Sequence, residues 1–214
     1  MMTRREILRR YRHLRAMVTH HHSAALKFLT PAAIIERARR LGLAAGQALI
    51  ADNEKEMTLL FDLVIYAAKE GRSRAIDRYA KAAQLPAGSD EALMLEAMRH
   101  AHFSLWQVER RHDITGLVLT DLRDHAEVWL VDEGLQTSTA NGWVFAARLS
   151  QPDRFAMTSG LVVPVHDETI RKLINHNQAR RQPEPDRLDE DSRLATDIYR
   201  AAVDQRLMDR IAFR

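Results

Sequence analysis

The feature that most constrains this chain is a stretch of period-two hydrophobicity, from Ile114 to Val165, in a sequence whose other apolar residues recur at helical spacing. Alternation bounded by turn residues is typical of antiparallel strands, whereas apolar residues spaced by three and four are typical of helices. The sequence therefore predicts an α+β protein: an N-terminal helical bundle, a five-stranded antiparallel small barrel or rolled sheet, and C-terminal helices.

Turn residues divide the alternating stretch into short runs. The turns lie at Asp121 to His125, at Asn141-Gly142, after Ser150 and at Ser159-Gly160. Pro164 suits a strand end or a sheet edge because it has no N–H to donate. The predicted strands cover residues 114–120, 128–131, 143–149, 154–158 and 161–165.

Capping residues mark the helices on both sides of this unit. Thr30-Pro31 and Ser89 are typical helix starts, Asn53 can cap a third helix, and Gly42 is a typical helix end. The predicted helices cover residues 4–19, 31–41, 53–71, 74–84, 89–108, 167–178 and 194–211, with an exposed linker at 180–191. We divide the chain into a bundle at 1–111, the β unit at 112–166, and C-terminal helices at 167–214 that pack on the bundle or on a second subunit of a homo-oligomer.

The chain has no cysteine, which excludes disulfides, thiolate metal sites and cysteine nucleophiles. Its basic start lacks the apolar core of a secretory signal, and no apolar stretch reaches the length of a membrane span. We therefore expect a cytoplasmic protein without membrane contact.

Positive charge is concentrated at the start of the chain, where six arginines but only one acidic residue, Glu6, precede Leu26. Helical spacing places Arg5, Arg9 and Arg12 opposite the apolar stripe of the first helix, which gives a cationic face suited to phosphate groups. Small barrels also bind single strands through aromatic and basic residues. The candidates on the β unit are Trp129, Trp143, Arg148 and Arg154.

Three adjacent histidines, His20 to His22, raise the question of a metal site. Successive helical residues point about 100° apart, so three neighbours cannot chelate one ion unless the helix ends before them. We predict no metal site and no cofactor, since the chain also lacks the glycine-rich phosphate-binding motifs.

A catalytic role would need a histidine beside a carboxylate. His100 and His102 are the weak candidates for proton transfer, and Asp132 or Glu133 could supply the carboxylate if the fold brings them together. No nucleophile motif accompanies them, so whether the chain is an enzyme stays open, with a non-catalytic role as the first expectation.

The runs DLRDHAEVWLVDEGLQTSTANGWVFAARL and FAMTSGLVVPV carry a resemblance to a known family. They resemble uncharacterised bacterial proteins in which a helical N-terminal half leads into a small β-barrel-like segment. The resemblance covers mainly Phe103 to Val165 and implies the architecture, but no activity.

The residues thus leave three functions open. The first is a non-catalytic binding or adaptor protein whose partner is a protein or a nucleic acid. The second is a nucleic-acid-binding protein that uses the basic N-terminal helix and the barrel, and the third is a hydrolase with a His/acid site between barrel and bundle.

Overall fold

The structure is a computed structural model that describes residues 2–69, 71–165 and 189–210. Within these ranges the chain forms seven α-helices, one two-residue hairpin and one five-stranded antiparallel sheet. The α+β prediction is confirmed. The helices are α1 (Arg4–Leu26), α2 (Pro31–Leu41), α3 (Glu54–Tyr66), α4 (Ala75–Ala82), α5 (Asp90–Arg99), α6 (Glu133–Ser138) and α7 (Glu190–Asp204). The strands are β1 (Ala44–Ala45), β2 (Ala48–Leu49), β3 (His102–Arg111), β4 (Leu117–Asp121), β5 (Glu127–Leu130), β6 (Val144–Ser150) and β7 (Met157–Pro164).

The predicted helix starts are confirmed by their caps. The side chains of Thr30, Asn53 and Ser89 each accept a hydrogen bond from the backbone N–H three residues later. Gly42 ends α2 in the left-handed conformation, with φ 79°. These contacts satisfy backbone groups that have no partner inside the helix.

The prediction that one helix runs from Ser89 to residue 108 is wrong. The helix α5 ends at Arg99, and β3 begins at His102. Leu105 fits both periods, because it lies seven residues after Met98, a helical spacing, and two residues after Phe103, a strand spacing. Pairing with β4 and β6 on either side makes β3 the central strand.

The sheet has the order β5-β4-β3-β6-β7. The two predicted strands at 154–158 and 161–165 form one strand, β7, which a bulge accommodates against β6 between Ala147 and Leu149. The outer strands approach each other at one isolated parallel bridge, Leu130 with Ala156. The sheet is not closed into a barrel, since a barrel needs a continuous ladder between its first and last strands.

Both faces of the sheet are buried. One face packs on the helices, where Phe103, Leu105 and Val163 join the main core. The other face carries a smaller core around Trp106, which loop residues and α6 cover. The sheet therefore leaves few strand side chains on the surface.

The last helix docks on the bundle and on the sheet. On α7, Leu194, Ile198 and Tyr199 are buried against α2, α3 and β3. The predicted helix at 167–178 and most of the predicted linker lie outside the described residues. The division into three segments stays a prediction, and β3 lies in the segment 1–111 although it is the centre of the sheet.

No described helix combines the length and the apolar character needed to cross a membrane.

Candidate functional site

The N-terminal half of α1 carries an exposed cationic face. Thr3 and Glu6 form a capping box that fixes the first turn. The apolar stripe of Ile7, Tyr11 and Leu14 is buried against the other helices. Because arginines occupy the opposite positions, packing of the stripe turns them towards solvent.

We call this face, together with Arg154 of the β6–β7 connection, the basic surface. Two open depressions flank Arg9, of about 820 and 600 Å³. One is lined by residues of α1 and by Asp153 and Arg154, and the other by residues of α1 alone. The basic surface consists of five exposed arginines, Arg4, Arg5, Arg9, Arg12 and Arg154.

The arginines of this region differ in how far carboxylates neutralise them. Arg10 donates to Asp90 at 2.5 and 2.7 Å and to Asp153 at 3.4 Å, so its charge is used inside the protein. Within the described residues, Arg4, Arg5 and Arg154 have no carboxylate partner. These three cations are open to an external anion.

Arg12 and Glu133 form an ion pair across the surface, with guanidinium-to-carboxylate distances of 2.6 and 3.0 Å. The hydrogen bond from Arg12 lowers the pKa of Glu133, so this carboxylate is ionised at neutral pH and is unsuited to act as a general acid. The Arg12 side chain is 65% exposed. Exposed pairs are weak, about 0–1 kcal/mol, so a phosphate can compete for Arg12.

The predicted catalytic residues each contact a different partner. His100 lies on the surface beside Glu96, at 2.8 Å. Asp132 caps α6 and accepts a hydrogen bond from Thr158 at 2.9 Å. Neither Asp132 nor Glu133 contacts a predicted histidine.

His102 does have a carboxylate partner, but it is Asp121 rather than Asp132 or Glu133. Its Nε2 lies 2.9 Å from the Asp121 carboxylate, which also accepts hydrogen bonds from Ser104 and from the Arg123 backbone N–H. Burial alone would raise the pKa of Asp121, but the hydrogen bonds from His102 and Ser104 lower it overall. The half-exposed imidazole is thus held in one orientation by a fixed anion.

The prediction that Arg148 contributes to a nucleic-acid-binding surface does not fit its position. Its side chain is 2% exposed and donates to Asp62 at 3.2 Å. The guanidinium also lies over the Tyr66 ring, 4.4 Å from its centroid. A nucleic acid on the surface cannot contact this group.

The histidine run lies inside α1, and its members have separate surroundings. His21 is buried between Tyr79 and the Glu91 carbonyl, each at 3.0 Å, and His22 lies 3.0 Å from the Tyr66 hydroxyl. Among the described residues, no group of three histidine, aspartate or glutamate side chains could hold a metal ion.

The aromatic candidates are largely built into the fold. Trp129 donates to the Thr115 carbonyl at 2.8 Å, and the His112 ring stacks on it at 4.0 Å between centroids. Trp143 is partly buried beside Phe145. Both tryptophan side chains are less exposed than the arginines of the basic surface.

Sequence reasoning missed Asp62, Tyr199 and the pairing of His102 with Asp121. One signal was present, because Asp62 interrupts the most apolar helix of the chain and a buried carboxylate requires a partner. The identity of that partner was not readable, since Arg148 is 86 residues away.

The chain was compared with protein families, curated proteins and solved structures. One family model matches residues 5–201, and its description is "Family of unknown function (DUF7986)". The match covers both the helical half and the sheet. No curated protein and no solved structure matches the chain.

Proposed function

Because the chain belongs to DUF7986, a family of unknown function, we propose its role from the geometry of the site: a non-catalytic protein that binds nucleic acid through the phosphate backbone. The basic surface is the contact region. The observation that carries the proposal is that Arg4, Arg5 and Arg154 are exposed and have no carboxylate partner among the described residues.

The arrangement suits a phosphate chain better than a single small anion. The cations extend along two turns of α1 and continue onto the loop that carries Arg154. Phosphate contacts require accessible cations rather than a deep pocket, and both depressions beside Arg9 are open. Backbone contacts of this kind supply affinity without sequence preference.

The test is binding of a short labelled single strand and of its duplex, followed by fluorescence anisotropy over a range of salt concentrations. We expect affinity to fall with salt, with a slope of roughly −0.7 to −0.9 per phosphate contacted. The triple variant Arg4→Ala, Arg5→Ala, Arg9→Ala should bind the strand at least about tenfold more weakly. Its plot of log affinity against log salt concentration should be less steep by about two to three.

A matched control removes the same charge elsewhere. Lys27, Lys81 and Arg110 are exposed and lie outside the basic surface, so their triple alanine variant should keep most of the affinity. No binding at low salt, or equal losses in the two variants, would overturn the proposal. Binding of an acidic polypeptide but not of nucleic acid would also overturn it and would favour a protein partner.

One observation favours the hydrolase alternative, namely the hydrogen bond between His102 and the buried carboxylate of Asp121. A histidine oriented in this way can accept a proton from water. Oligonucleotides recovered from the binding assay provide its test. Shortened strands that disappear with His102→Ala would support this alternative, and intact strands would count against it.

A further inference from the structure

A buried polar cluster lies where α1, α3, β6 and α7 meet, away from the basic surface. Asp62 Oδ2 accepts hydrogen bonds from Arg148 Nε at 3.2 Å and from Tyr199 at 2.8 Å. The Tyr66 ring lies under the Arg148 guanidinium, and its hydroxyl contacts His22. Four elements distant in sequence thus contribute polar side chains to one buried place.

Ser159 belongs to the same region. Strand alternation places its side chain on the same face as Met157 and Leu161, which lie in the core between sheet and helices. The bulge between β6 and β7 sets Arg148 opposite this part of β7. Ser159 and Arg148 therefore share one face of the sheet at neighbouring positions.

Three buried polar atoms in this region have no hydrogen-bond partner within the part of the chain that the structure describes. They are Asp62 Oδ1, Arg148 Nη2 and Ser159 Oγ. The great majority of buried polar atoms in folded proteins have a hydrogen-bond partner, so each exception needs an explanation, such as strain, a catalytic role, or a bound water or ion. Here one acceptor, one cationic donor and one hydroxyl are unsatisfied in the same region.

Charged groups of both signs surround this region. Asp62, Arg15 and Arg148 interact electrostatically with the His22 ring, so Arg15 lies close to the same cluster. Burial lowers the pKa of His22 to about 4, so its ring is neutral at pH 7. Asp62 contacts Arg148 directly, and Asp191 acts on it as well. Arg15, in contrast, contacts no carboxylate within the described residues, so an oxyanion between Arg15 and Arg148 would be stabilised.

Arg15 binds a backbone carbonyl rather than a carboxylate. Its guanidinium donates to the Thr158 carbonyl at 2.7 Å and has no carboxylate partner in the described ranges. The side chain lies against the backbone of Gly160, where a Cβ atom would come within 2.5 Å of Nη2. Arg15 and His22 are both only partly buried, so they form the side of the cluster that solvent can reach.

We propose that this cluster is a binding site for a small oxyanion that carries its own hydrogen-bond donor, with hydrogen phosphate as the simplest member. Arg148 Nη2 and Ser159 Oγ donate to the oxyanion, and Arg15 adds positive charge at the open side. Asp62 Oδ1 accepts the hydrogen bond from the hydroxyl group of the anion. Each of the three unsatisfied atoms then has a partner of the correct polarity.

The acceptor Asp62 determines the choice between anions. Sulfate has the size of phosphate but carries no proton at neutral pH, so its oxygens would face Asp62 Oδ1 without a donor between them. An uncompensated contact of two anions is costly in a buried site. The cluster should therefore prefer phosphate to sulfate, whereas a surface patch of arginines would bind both.

The experiment is isothermal titration calorimetry of the full chain with inorganic phosphate and with sulfate, at pH 7.5 and constant ionic strength. We expect one saturable phosphate site and a sulfate affinity that is about tenfold lower or weaker still. Ser159→Ala should weaken phosphate binding by about tenfold. The variant should fold normally, because the Ser159 hydroxyl has no partner within the described residues.

Two controls separate this site from the basic surface and from general effects. Ser138→Ala removes an exposed hydroxyl from α6 and should leave phosphate affinity unchanged. The Arg4, Arg5, Arg9 triple alanine variant should also retain the phosphate site, whether or not it binds nucleic acid. Absence of phosphate binding, equal affinity for sulfate, or unchanged affinity in Ser159→Ala would each overturn the proposal.

Discussion

Tyr199 on α7 donates a hydrogen bond of 2.8 Å to the Asp62 carboxylate on α3, and both side chains are buried. The contact joins helices that are 137 residues apart in the chain. Because Asp62 Oδ2 also accepts from Arg148, the same oxygen connects the bundle, the sheet and the last helix.

Tyr199→Phe should destabilise the protein without disturbing its shape. The variant removes one donor from a buried carboxylate, and hydrogen bonds to charged groups contribute about 1.5–3 kcal/mol. Urea denaturation followed by circular dichroism measures the loss. Tyr79→Phe is the control, since it removes a contact with a histidine and should cost about 0.5–1.5 kcal/mol. Equal losses would show that the charge on Asp62 is unimportant.

The Asp62–Arg148 pair should behave as a coupled unit. Asp62→Leu or Arg148→Met alone leaves an uncompensated buried charge and should cost roughly 3–5 kcal/mol. The double variant should recover much of this loss, because apolar residues of similar volume can replace a buried ion pair. A double-mutant cycle by chemical denaturation measures the coupling. Additive losses would contradict the pairing.

Stability should fall as the pH is lowered from about 6.5 to 4. Burial lowers the pKa of His22 to about 4 in the folded state, whereas the unfolded chain protonates near 6.5. The unfolded state therefore binds more protons in this window, and the loss reaches at most roughly 3 kcal/mol. Asp62, Arg15, Arg148 and His21 act electrostatically on this ring, and the Tyr66 hydroxyl lies 3.0 Å from it.

His22→Gln tests the assignment of this pH dependence. The variant should lose part of the difference in unfolding free energy between pH 7 and pH 4.5, measured in urea. His21 contributes in the same direction, because burial also lowers its pKa. Asp90 and Glu133 have lowered pKa values as well, and they add losses at the acid end of the range. An identical pH profile in His22→Gln would contradict the prediction.

Gly160→Ala should be destabilising by roughly 1–3 kcal/mol, mainly through backbone strain, because the Arg15 guanidinium is the end of a flexible side chain and can move aside. The Gly160 backbone has φ +108°, and the added Cβ would lie 2.5 Å from Arg15 Nη2. Gly46→Ala is the matched control, because Gly46 also has positive φ, at +60°, but has open space around it. The control should cost about 1–2 kcal/mol from backbone strain alone. Thermal unfolding compares the two, and an equal or larger loss in Gly46→Ala would contradict the prediction.

Local signals in the sequence were sufficient for the helix starts and for the α+β class. Thr30, Asn53 and Ser89 act within three residues of themselves, so their role is readable without tertiary structure. The strand β3 was not readable in this way, because Leu105 satisfies both periods and only pairing with β4 and β6 decides between them. Tertiary context overrides local pattern in such cases.

Among the candidate sites, local pattern likewise predicted some residues and missed others. The arginines of α1 were predictable, since a buried stripe on one side of a helix exposes the other side. Arg148 was predicted as a contact residue because small barrels bind single strands through basic residues, but cores cover both faces of this sheet. The contacts of His102 with Asp121 and of Arg148 with Asp62 join residues distant in sequence, which no local pattern reveals.

The bridge between Leu130 and Ala156 has a consequence for the behaviour of the protein at high concentration. Open sheets present rows of free N–H and C=O groups at their outer strands, and these rows template fibril growth. Here the Val131 N–H donates to the Ala156 carbonyl, the Ala156 N–H donates to the Trp129 carbonyl, and Arg15 covers the Thr158 carbonyl. These contacts remove part of the free backbone edge that another chain could pair with.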